Sequence, residues 1–299
     1  MNAIETGKAT IKEFLDDNAV MMSAAIAFYS ALSFAPLLII LIWFGGYLGG
    51  GTQEQIVDQV RNFVGSEAGA AVEMIVENAE ERPSLGTTAG IISILTLIFS
   101  ATGVFAQLQA ALNIVWDVEP KPGQGLMGWI RKRLLSLGLL VTIGFLLLVS
   151  LAFSAVLAAM LGGMQSRLPG ADALWPVVDL IVSLIIYTLL FAAIFKILPD
   201  VDIEWRVVWG GAILTAVLFA IGKWGIGLYL GRSSLGSAYG AAGSLIVLLV
   251  WAYYSCIILM LGAEMTQVAA QRIGLRVRPD DHAQWADRPQ SKRNEPQTA

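Results

Sequence analysis

The feature that most constrains the fold is a run of 31 uncharged residues from Ser233 to Ala263. About 20 predominantly apolar residues suffice to cross a bilayer as a helix. The run begins with small and polar residues, becomes strongly apolar, and is followed at once by Glu264. The stretch from Gly236 to Gln271 therefore predicts a membrane span with candidate functional groups at both ends.

The composition indicates a polytopic membrane protein, because 56% of the residues are hydrophobic, only 14% are charged and the mean hydropathy is +0.68. The first apolar run is far longer than that of a signal peptide, so we expect it to be a retained span. The single cysteine, Cys256, excludes a disulfide framework and a cysteine metal site within one chain. We expect no cofactor and no bound metal.

The predicted fold is an all-α membrane helix bundle with a helix on the membrane surface near the N-terminus. That surface helix is indicated by Ile11, Phe14 and Leu15, which recur at helical spacing. Residues 52–82 are acidic and predict a short helical loop outside the cytoplasm, and residues 274–299 predict a disordered cytoplasmic tail. Six spans are expected at about 22–48, 86–113, 134–162, 176–198, 207–231 and 238–270.

The distribution of basic residues predicts the orientation. With six spans, 14 of the 19 lysines and arginines fall on the side of the N-terminus, four fall on the other side, and Lys223 lies within a span. Cytoplasmic loops carry the excess of basic residues, so both termini are predicted to be cytoplasmic. In a bacterium this is a multi-pass protein of the inner membrane.

A first group of candidate residues surrounds a proline in the first span. Pro36 must kink its helix, and Tyr29 and Ser33 supply hydroxyls near the carbonyls that the kink frees. Asn113 ends the second span. These side chains either line a pathway or only satisfy the kinked backbone, and the second interpretation is the more common one in membrane helices.

Ionisable residues within spans form a second group, because a charge in hydrocarbon costs roughly 2.5 to 3.5 kcal/mol on insertion scales. Counting along the helices places Lys223 near the outer third of the membrane and Glu264 at its inner edge. Asp179 lies at a depth where it could meet Lys223. Two interpretations of Lys223 remain: it lines an outward-facing polar cavity, or its side chain extends along the helix to place the ammonium group at the outer interface. Glu264 is either a gate or an anchor on a basic cytoplasmic loop.

Small residues predict close contact between the last two spans. In the fifth span they are Gly211, Thr215, Gly222, Gly225 and Gly227. The start of the sixth span is equally consistent with a broken helix that lines a cavity, as in transporters. The candidate residues there are Tyr239, Gly240, Gly243 and Ser244.

Three segments carry a family resemblance. They are AFYSALSFAP in the first span, ALNIVW after the second, and YGAAGSLIVLLVWAYYSCIILMLGAE in the last, which is the most specific. Through them the chain resembles the YihY/BrkB family of bacterial inner-membrane proteins over about residues 10 to 275. The resemblance implies six spans, cytoplasmic termini and an unsettled role; a ribonuclease label was long attached to the family, and lipid transport has been suspected for some members.

Enzymatic functions are disfavoured on chemical grounds. Phosphodiester hydrolysis requires a general base or metal-binding carboxylates, and the one cytoplasmic cluster, Asp200, Asp202 and Glu204, lies in a very short loop. No basic surface lined with aromatic residues suggests nucleic acid as a partner. The phosphate loop of an ATP-driven pump is also missing from the sequence.

Two functions remain. The first is a secondary transporter or flippase-like carrier for a lipid or another amphiphilic or anionic small molecule. The second is a membrane scaffold for envelope assembly whose polar residues serve packing alone. Expected partners are membrane lipids, a lipid-like or anionic substrate and, for either function, a second copy of the chain.

Overall fold

The structure is a computed structural model that describes residues 3–48, 58, 92, 95–96, 99–100, 103–122, 128, 138, 175–232, 241–275 and 277–286. Apart from single positions, the predicted third span and the predicted acidic loop at 52–82 lie outside these residues. The same is true of the first part of the predicted second span.

The described part of the chain is mainly helical. Its helices are α1 (Ala3–Asp16), α2 (Ala19–Leu48), α3 (Gly103–Val115), α4 (Trp175–Ile197), α5 (Trp205–Arg232) and α6 (Ala241–Arg272). Three of their segments are long and apolar enough to cross a membrane: Leu180–Ile197, Trp205–Gly225 and Ile246–Arg272. Shorter apolar helical segments are Ala19–Phe34 and Gly103–Val115. The expectation of a helical membrane protein is met at this level.

Two short antiparallel ribbons add strands to the predicted all-α fold. Strand β1 (Val118–Pro120) pairs with β4 (Ala283–Trp285), and β2 (Val201–Asp202) pairs with β3 (Arg278–Pro279). The prediction of a disordered tail is therefore wrong for residues 277–286, which we call the C-terminal strap. Its polar composition suggests disorder, but its backbone bonds are satisfied by two strands far away in the sequence.

Helices α5 and α6 are antiparallel and in very close contact. A Cβ placed on Gly211 would lie 1.9 Å from Thr266 Oγ1, and one placed on Gly262 would lie 1.8 Å from Thr215 Oγ1. Each threonine hydroxyl donates to the carbonyl of the glycine four residues earlier in its own helix, at 2.7 Å and 2.8 Å. The two Gly-x-x-x-Thr segments therefore interlock, with each threonine covering the glycine of the other helix.

This contact bears out the small-residue pattern for three of the five predicted residues of α5, and the surroundings of Gly227 lie outside the description. Gly211, Thr215 and Gly222 do lie at the interface, and Gly222 packs against the Tyr254 ring. Their partners are Gly262, Thr266 and Tyr254, and a Cβ on Gly225 would meet nothing within 4 Å. Composition marked the small residues of α5 but could not indicate which turn of α6 they would meet.

An aromatic group joins α4, α5 and α6. The Phe219 ring lies 5.0 Å from Tyr187, 5.7 Å from Phe191 and 5.8 Å from Trp251, each in an edge-to-face arrangement. Such pairs contribute about 0.5 to 1.5 kcal/mol beyond the area that they bury. Phe219 thus fixes α4 and α6 on either side of α5.

The helix α1 turns sharply into α2 at Asn18, whose φ of 55° lies in the left-handed region that asparagine tolerates better than most residues. Phe14 is buried, whereas Ile11 and Leu15 are exposed. Arg272, the last residue of α6, donates to the Thr6 hydroxyl and, at 2.8 Å, to the Glu5 carbonyl. One face of α1 is therefore fixed to the bundle, and an apolar stripe faces away from it, which suits a membrane surface.

Candidate functional site

A cluster of amides and carboxylates joins α3 to the link between α4 and α5. Asp200 accepts hydrogen bonds from Gln109 Nε2 at 2.9 Å and from Asn113 Nδ2 at 2.7 Å. The Asp200 backbone N–H donates in return to Asn113 Oδ1 at 2.8 Å. Gln109 and Asn113 lie one turn apart and so project from the same face of α3. These two amide side chains hold the carboxylate of Asp200 in place, and Asn113 also holds its backbone N–H.

A second set of bonds joins the end of α3 to α6. Gln267 is 3% exposed, and its Nε2 donates to the Val115 carbonyl and, at 3.3 Å, to Asp117 Oδ2. The Val115 carbonyl belongs to the last turn of α3, where carbonyls lack partners within the helix. Asp117 follows with a φ of 55°, a conformation that aspartate tolerates at a helix end. Gln267 thus acts as a cap supplied by a neighbouring helix.

Glu264 lies one turn before Gln267 on the same face of α6, and it has no exposed surface. The contacts of Gly211 with Thr266 and of Thr215 with Gly262 place Glu264 level with residue 213 of α5. That level is about 12 Å along the axis from Trp205 and about 6 Å from Trp209. Both tryptophans are exposed near the start of α5, as expected at a membrane interface, and their ring planes are tilted by 34° with the ring centres 6.1 Å apart. Glu264 therefore lies one to two turns further along the bundle than these tryptophans, within the apolar segment Ile246–Arg272.

Contacts along α2 and α3 place further polar groups at the level of Glu264. The side chain of Ser30 hydrogen-bonds Cys256, so Ser23, two turns before Ser30, lies level with Ala263 and Glu264, two turns after Cys256. The bond from Gln267 to Val115 places Glu264 level with α3 between Gln109 and Asn113. We call this set the polar layer. It consists of Ser23, Gln109, Asn113, Asp200, Glu264 and Gln267, and five of the six are buried, with Asp200 half-buried.

The C-terminal strap borders the polar layer. The Asp280 N–H donates to the Asp200 carbonyl at 3.0 Å, next to the strand pair β2–β3. Lys121 donates from its backbone to the His282 carbonyl at 3.0 Å and from Nζ to the Asp281 carbonyl at 2.8 Å. The strap therefore connects the residues after α3 with the α4–α5 link, the two segments whose side chains meet in the layer.

The structure brings two of the predicted candidates, Asn113 and Glu264, into the same layer. The basic partners expected for Glu264 are engaged or exposed: Lys196 Nζ lies 2.7 Å from Asp202 Oδ1 and 2.6 Å from the Ile203 carbonyl, and Arg206 is exposed. Glu264 itself has no exposed surface, and the choice between a gate and an anchor stays a prediction. The remaining cluster expected to serve it, Arg131 to Arg133, lies outside the described residues.

Other candidates are placed apart from the layer. Ser33 is buried and donates to the Ser100 carbonyl at 2.7 Å, which fits a structural role. Tyr29 is 44% exposed and packs edge-on against Phe28, 6.0 Å between ring centres. Pro36 lies within the continuous helix α2. Lys223 is half-buried, ten residues from the level of Glu264, or about 15 Å along α5.

The remaining candidates cannot be placed at the level of side chains. Asp179, Gly243 and Ser244 lie in the backbones of α4 and α6, but their side chains are outside the description. Tyr239 and Gly240 lie outside the described residues altogether. The expected contact of Asp179 with Lys223 and the expected break near Gly240 stay predictions.

Sequence reasoning did not assign Ser23, Gln267 or Asp200 to a site. The one available signal was the spacing of Gln109 and Asn113, two amides one turn apart in an apolar helix. Within the described residues no group of three or more histidine, cysteine, aspartate or glutamate side chains is arranged to hold a metal ion. The layer is thus a network of hydrogen bonds and carboxyl groups.

The fold and this layer define a helical integral membrane protein with buried ionisable side chains. The chain belongs to the family described as Virulence factor BrkB, which matches residues 10–287. This agrees with the resemblance to the YihY/BrkB family seen in the sequence.

Several curated relatives are named as membrane proteins, and one is named as ribonuclease-like. A UPF0761 membrane protein of Stenotrophomonas maltophilia (strain R551-3) is 30% identical over 277 residues, which is 90% of this chain and 61% of that protein. The putative ribonuclease-like protein YfkH of Bacillus subtilis (strain 168) is 27% identical over 87% of this chain and 92% of its own length. A UPF0761 membrane protein of Xanthomonas oryzae pv. oryzae is 25% identical over 93% of this chain and 63% of its own. The chain thus spans less than two thirds of several relatives, and no solved structure matches it.

Proposed function

We propose that this protein is a secondary transporter or flippase-like carrier for a lipid or another amphiphilic, anionic molecule. The observation that carries the proposal is Glu264, an ionisable side chain with no exposed surface inside a membrane-length apolar helix. Ionisable groups at such depth are costly and mark substrate or ion pathways in membrane proteins. An apolar side chain at this position would pack equally well without the free-energy cost of burying an ionisable group.

The arrangement of the helices supports this function. The interlocked segments of α5 and α6 hold these two helices together as one unit. The polar layer, in contrast, joins α3, α6 and the α4–α5 link through hydrogen bonds that can be exchanged for bonds to water. In alternating access one helix group rocks against another. In the proposed mechanism the polar layer is the place where the two helix groups separate.

We also propose the six-span topology with cytoplasmic termini in a bacterial inner membrane. Its support is that α1, the residues after α3, the α4–α5 link and the C-terminal strap meet at one end of the bundle. These are the segments for which the charge bias predicts the cytoplasmic side. Lys223, half-buried and nearer the opposite end, would attract the anionic group of a substrate.

We propose no enzymatic activity. Of the three carboxylates in the α4–α5 link, Asp200 is held by Gln109 and Asn113, and Asp202 is held by Lys196. They therefore face different partners and do not converge on a common point where a phosphodiester could be cleaved. The ribonuclease-like name of the Bacillus subtilis relative has no counterpart in this arrangement.

The test is translocation by the full chain reconstituted in lipid vesicles. Fluorescent analogues of anionic and zwitterionic phospholipids and an anionic amphiphile are offered, and their movement across the bilayer is followed by quenching from one side. We expect translocation of at least one anionic probe, at least a tenfold loss with Glu264→Gln, and no loss with Glu204→Gln, an exposed carboxylate of the α4–α5 link. Lys223→Ala is expected to slow anionic probes more than zwitterionic ones.

If the wild-type chain moves none of the probes faster than empty vesicles do, the carrier proposal fails. Equal translocation rates for wild type and Glu264→Gln would show that transport does not depend on the carboxyl group of Glu264. Co-purification of envelope proteins with a chain that transports nothing would favour the scaffold function.

A further inference from the structure

We propose that helix α1 is a docking surface that selects anionic phospholipids. An apolar stripe of α1 enters the acyl chains of the bilayer, and lysine side chains along one edge of this stripe bind the phosphate headgroups. The sequence predicts only that a helix lies on the membrane, whereas the structure shows which side of α1 faces away from the bundle and which charges border it. This inference does not rest on the carrier function, and it is tested without any transported substrate.

The first support is the apolar stripe itself, which consists of Ile4, Ile11 and Leu15. These side chains are 71%, 56% and 59% exposed. At about 100° per residue they lie within roughly 40° of one another around the helix axis. Thr10 and Phe14, which are buried, project from a different side of α1, toward the bundle. An exposed stripe of large aliphatic side chains marks a contact with a membrane or another apolar partner.

The second support is the order of the charged side chains around α1. Lys8 and Lys12 are exposed and project about 40° and 80° from the centre of the stripe. The acidic residues of α1 lie further away, at about 100° to 180° from the same centre, and are Glu5, Asp16 and Glu13. A helix in the plane of a membrane carries basic residues beside its apolar face, where they meet anionic headgroups. The order apolar, basic, acidic therefore fits a negatively charged lipid surface.

Contacts at both ends of α1 fix the direction of the stripe. Near the N-terminal end, Arg272 of α6 donates to the Thr6 hydroxyl and, at 2.8 Å, to the Glu5 carbonyl. Thr6 projects from the same side of α1 as the buried Thr10, about 40° from it. At the other end, the turn at Asn18, with its φ of 55°, joins α1 to α2. The bundle therefore presents the stripe and its lysine edge together, in one fixed orientation.

Lipid is the occupant of this surface because exposed apolar side chains continue from α1 onto a membrane helix. Val20 and Met21 follow directly after the turn and are 44% and 70% exposed, and Phe28 and Leu32 are exposed one to three turns further on. All four belong to the apolar helical segment Ala19–Phe34. A surface that runs from a membrane helix onto a helix edged with lysines borders both the acyl chains and the headgroups. Anionic phospholipid matches both parts of it.

Fluorescence quenching by brominated lipids tests the contact with acyl chains. A thiol-reactive fluorescent probe is attached to the full chain carrying Ile11→Cys or, as the matched control, Asp16→Cys, and each labelled chain is reconstituted in lipid vesicles. Cys256 is buried, so the chain without an added cysteine measures background labelling. We expect brominated acyl chains to quench the probe at position 11 and to leave the probe at position 16 nearly unquenched. Leu15→Cys, also exposed on the stripe, repeats the test if Ile11→Cys does not fold.

The same probe at position 11 measures lipid selectivity. Vesicles contain equal amounts of phosphatidylglycerol, which is anionic, and phosphatidylcholine, which is zwitterionic, and one of the two lipids is brominated at a time. A lysine near an anionic surface strengthens binding by roughly fivefold. We therefore expect stronger quenching by brominated phosphatidylglycerol, a reduced preference in Lys8→Gln and an unchanged preference in Lys8→Arg, which keeps the charge.

The proposal is overturned if neither brominated lipid quenches the probe at position 11, if both quench it equally, or if Lys8→Gln leaves the preference unchanged. Energy transfer between donor and acceptor probes on separate copies, together with protection from brominated lipid, would also overturn it, because the surface would then bind a second copy of the chain. A chain that shows the expected quenching but translocates nothing would refute only the carrier function.

Discussion

The contact between α5 and α6 makes a sharp prediction, because two adjacent glycines of α5 face different surroundings. A Cβ on Gly211 would lie 1.9 Å from Thr266 Oγ1 and 2.5 Å from the Gly262 carbonyl oxygen, whereas a Cβ on Gly210 would meet nothing within 4 Å. Gly211→Ala must therefore push α6 away or distort it, while Gly210→Ala only gains helix propensity.

The magnitudes follow from these distances. Ordinary contact needs about 3.4 Å, so Gly211→Ala requires a displacement of roughly 1 Å against backbone, and overpacking of this kind costs about 1 to 3 kcal/mol. Replacing glycine by alanine inside a helix contributes up to about 1 kcal/mol in the other direction. We expect Gly211→Ala to be net destabilising by about 1 to 2 kcal/mol and Gly210→Ala to be neutral or stabilising.

The chain carries its own reporter for this measurement. Cys256 is the single cysteine and is buried on α6, so a thiol-reactive dye labels it when the helices separate. Heating the detergent-purified variants with the dye gives the Tm of each. We expect a lower Tm for Gly211→Ala and an unchanged or higher one for Gly210→Ala. Equal Tm values for the two variants would refute the interlocked packing of α5 and α6.

Further predictions concern the polar layer and the strap. Asn113→Ala is expected to lower the free energy of unfolding by about 2 to 4 kcal/mol, because it removes two hydrogen bonds to Asp200 in a buried site. Ile114→Ala, on the exposed face of α3, is expected to change the free energy of unfolding little, and the same dye assay compares the two variants. A chain ending at Gly274 loses both ribbons and is expected to have a lower Tm than a chain ending at Ala286, and equal values would contradict a structural role for the strap. Tyr254→Phe removes one bond to the Leu218 carbonyl, at 3.2 Å, and is expected to cost less than about 1 kcal/mol in the same assay.

The helices were predictable because the physics that sets them is local. Long uncharged runs predict membrane helices, and the bounds of α2, α4, α5 and α6 lie within three residues of the predicted spans. The small residues of α5 likewise predicted a close contact with the neighbouring helix. What could not be predicted was the register of that contact, since any turn of α6 with a small residue could have met Gly211.

The polar layer was only partly predictable, because it depends on contacts between distant segments. Asn113 and Glu264 stood out as polar residues in apolar helices. Asp200 looked like one of three equivalent loop carboxylates until its bonds to Gln109 and Asn113 distinguished it. Counting along α6 from its outer end predicts Glu264 at the membrane edge, whereas its position relative to Trp205 and Trp209, about 12 and 6 Å along the axis, follows only from its packing against α5.

The measurement that tests the central claim most directly is the translocation of an anionic lipid analogue by the reconstituted chain. The initial rate is recorded in vesicles that contain the wild type, Glu264→Gln or Glu204→Gln and in empty vesicles. We predict that the wild type and Glu204→Gln translocate the analogue faster than empty vesicles do and that Glu264→Gln is at least tenfold slower than the wild type. A wild-type rate no faster than that of empty vesicles, or a Glu264→Gln rate equal to that of the wild type, would contradict a carrier function that depends on Glu264.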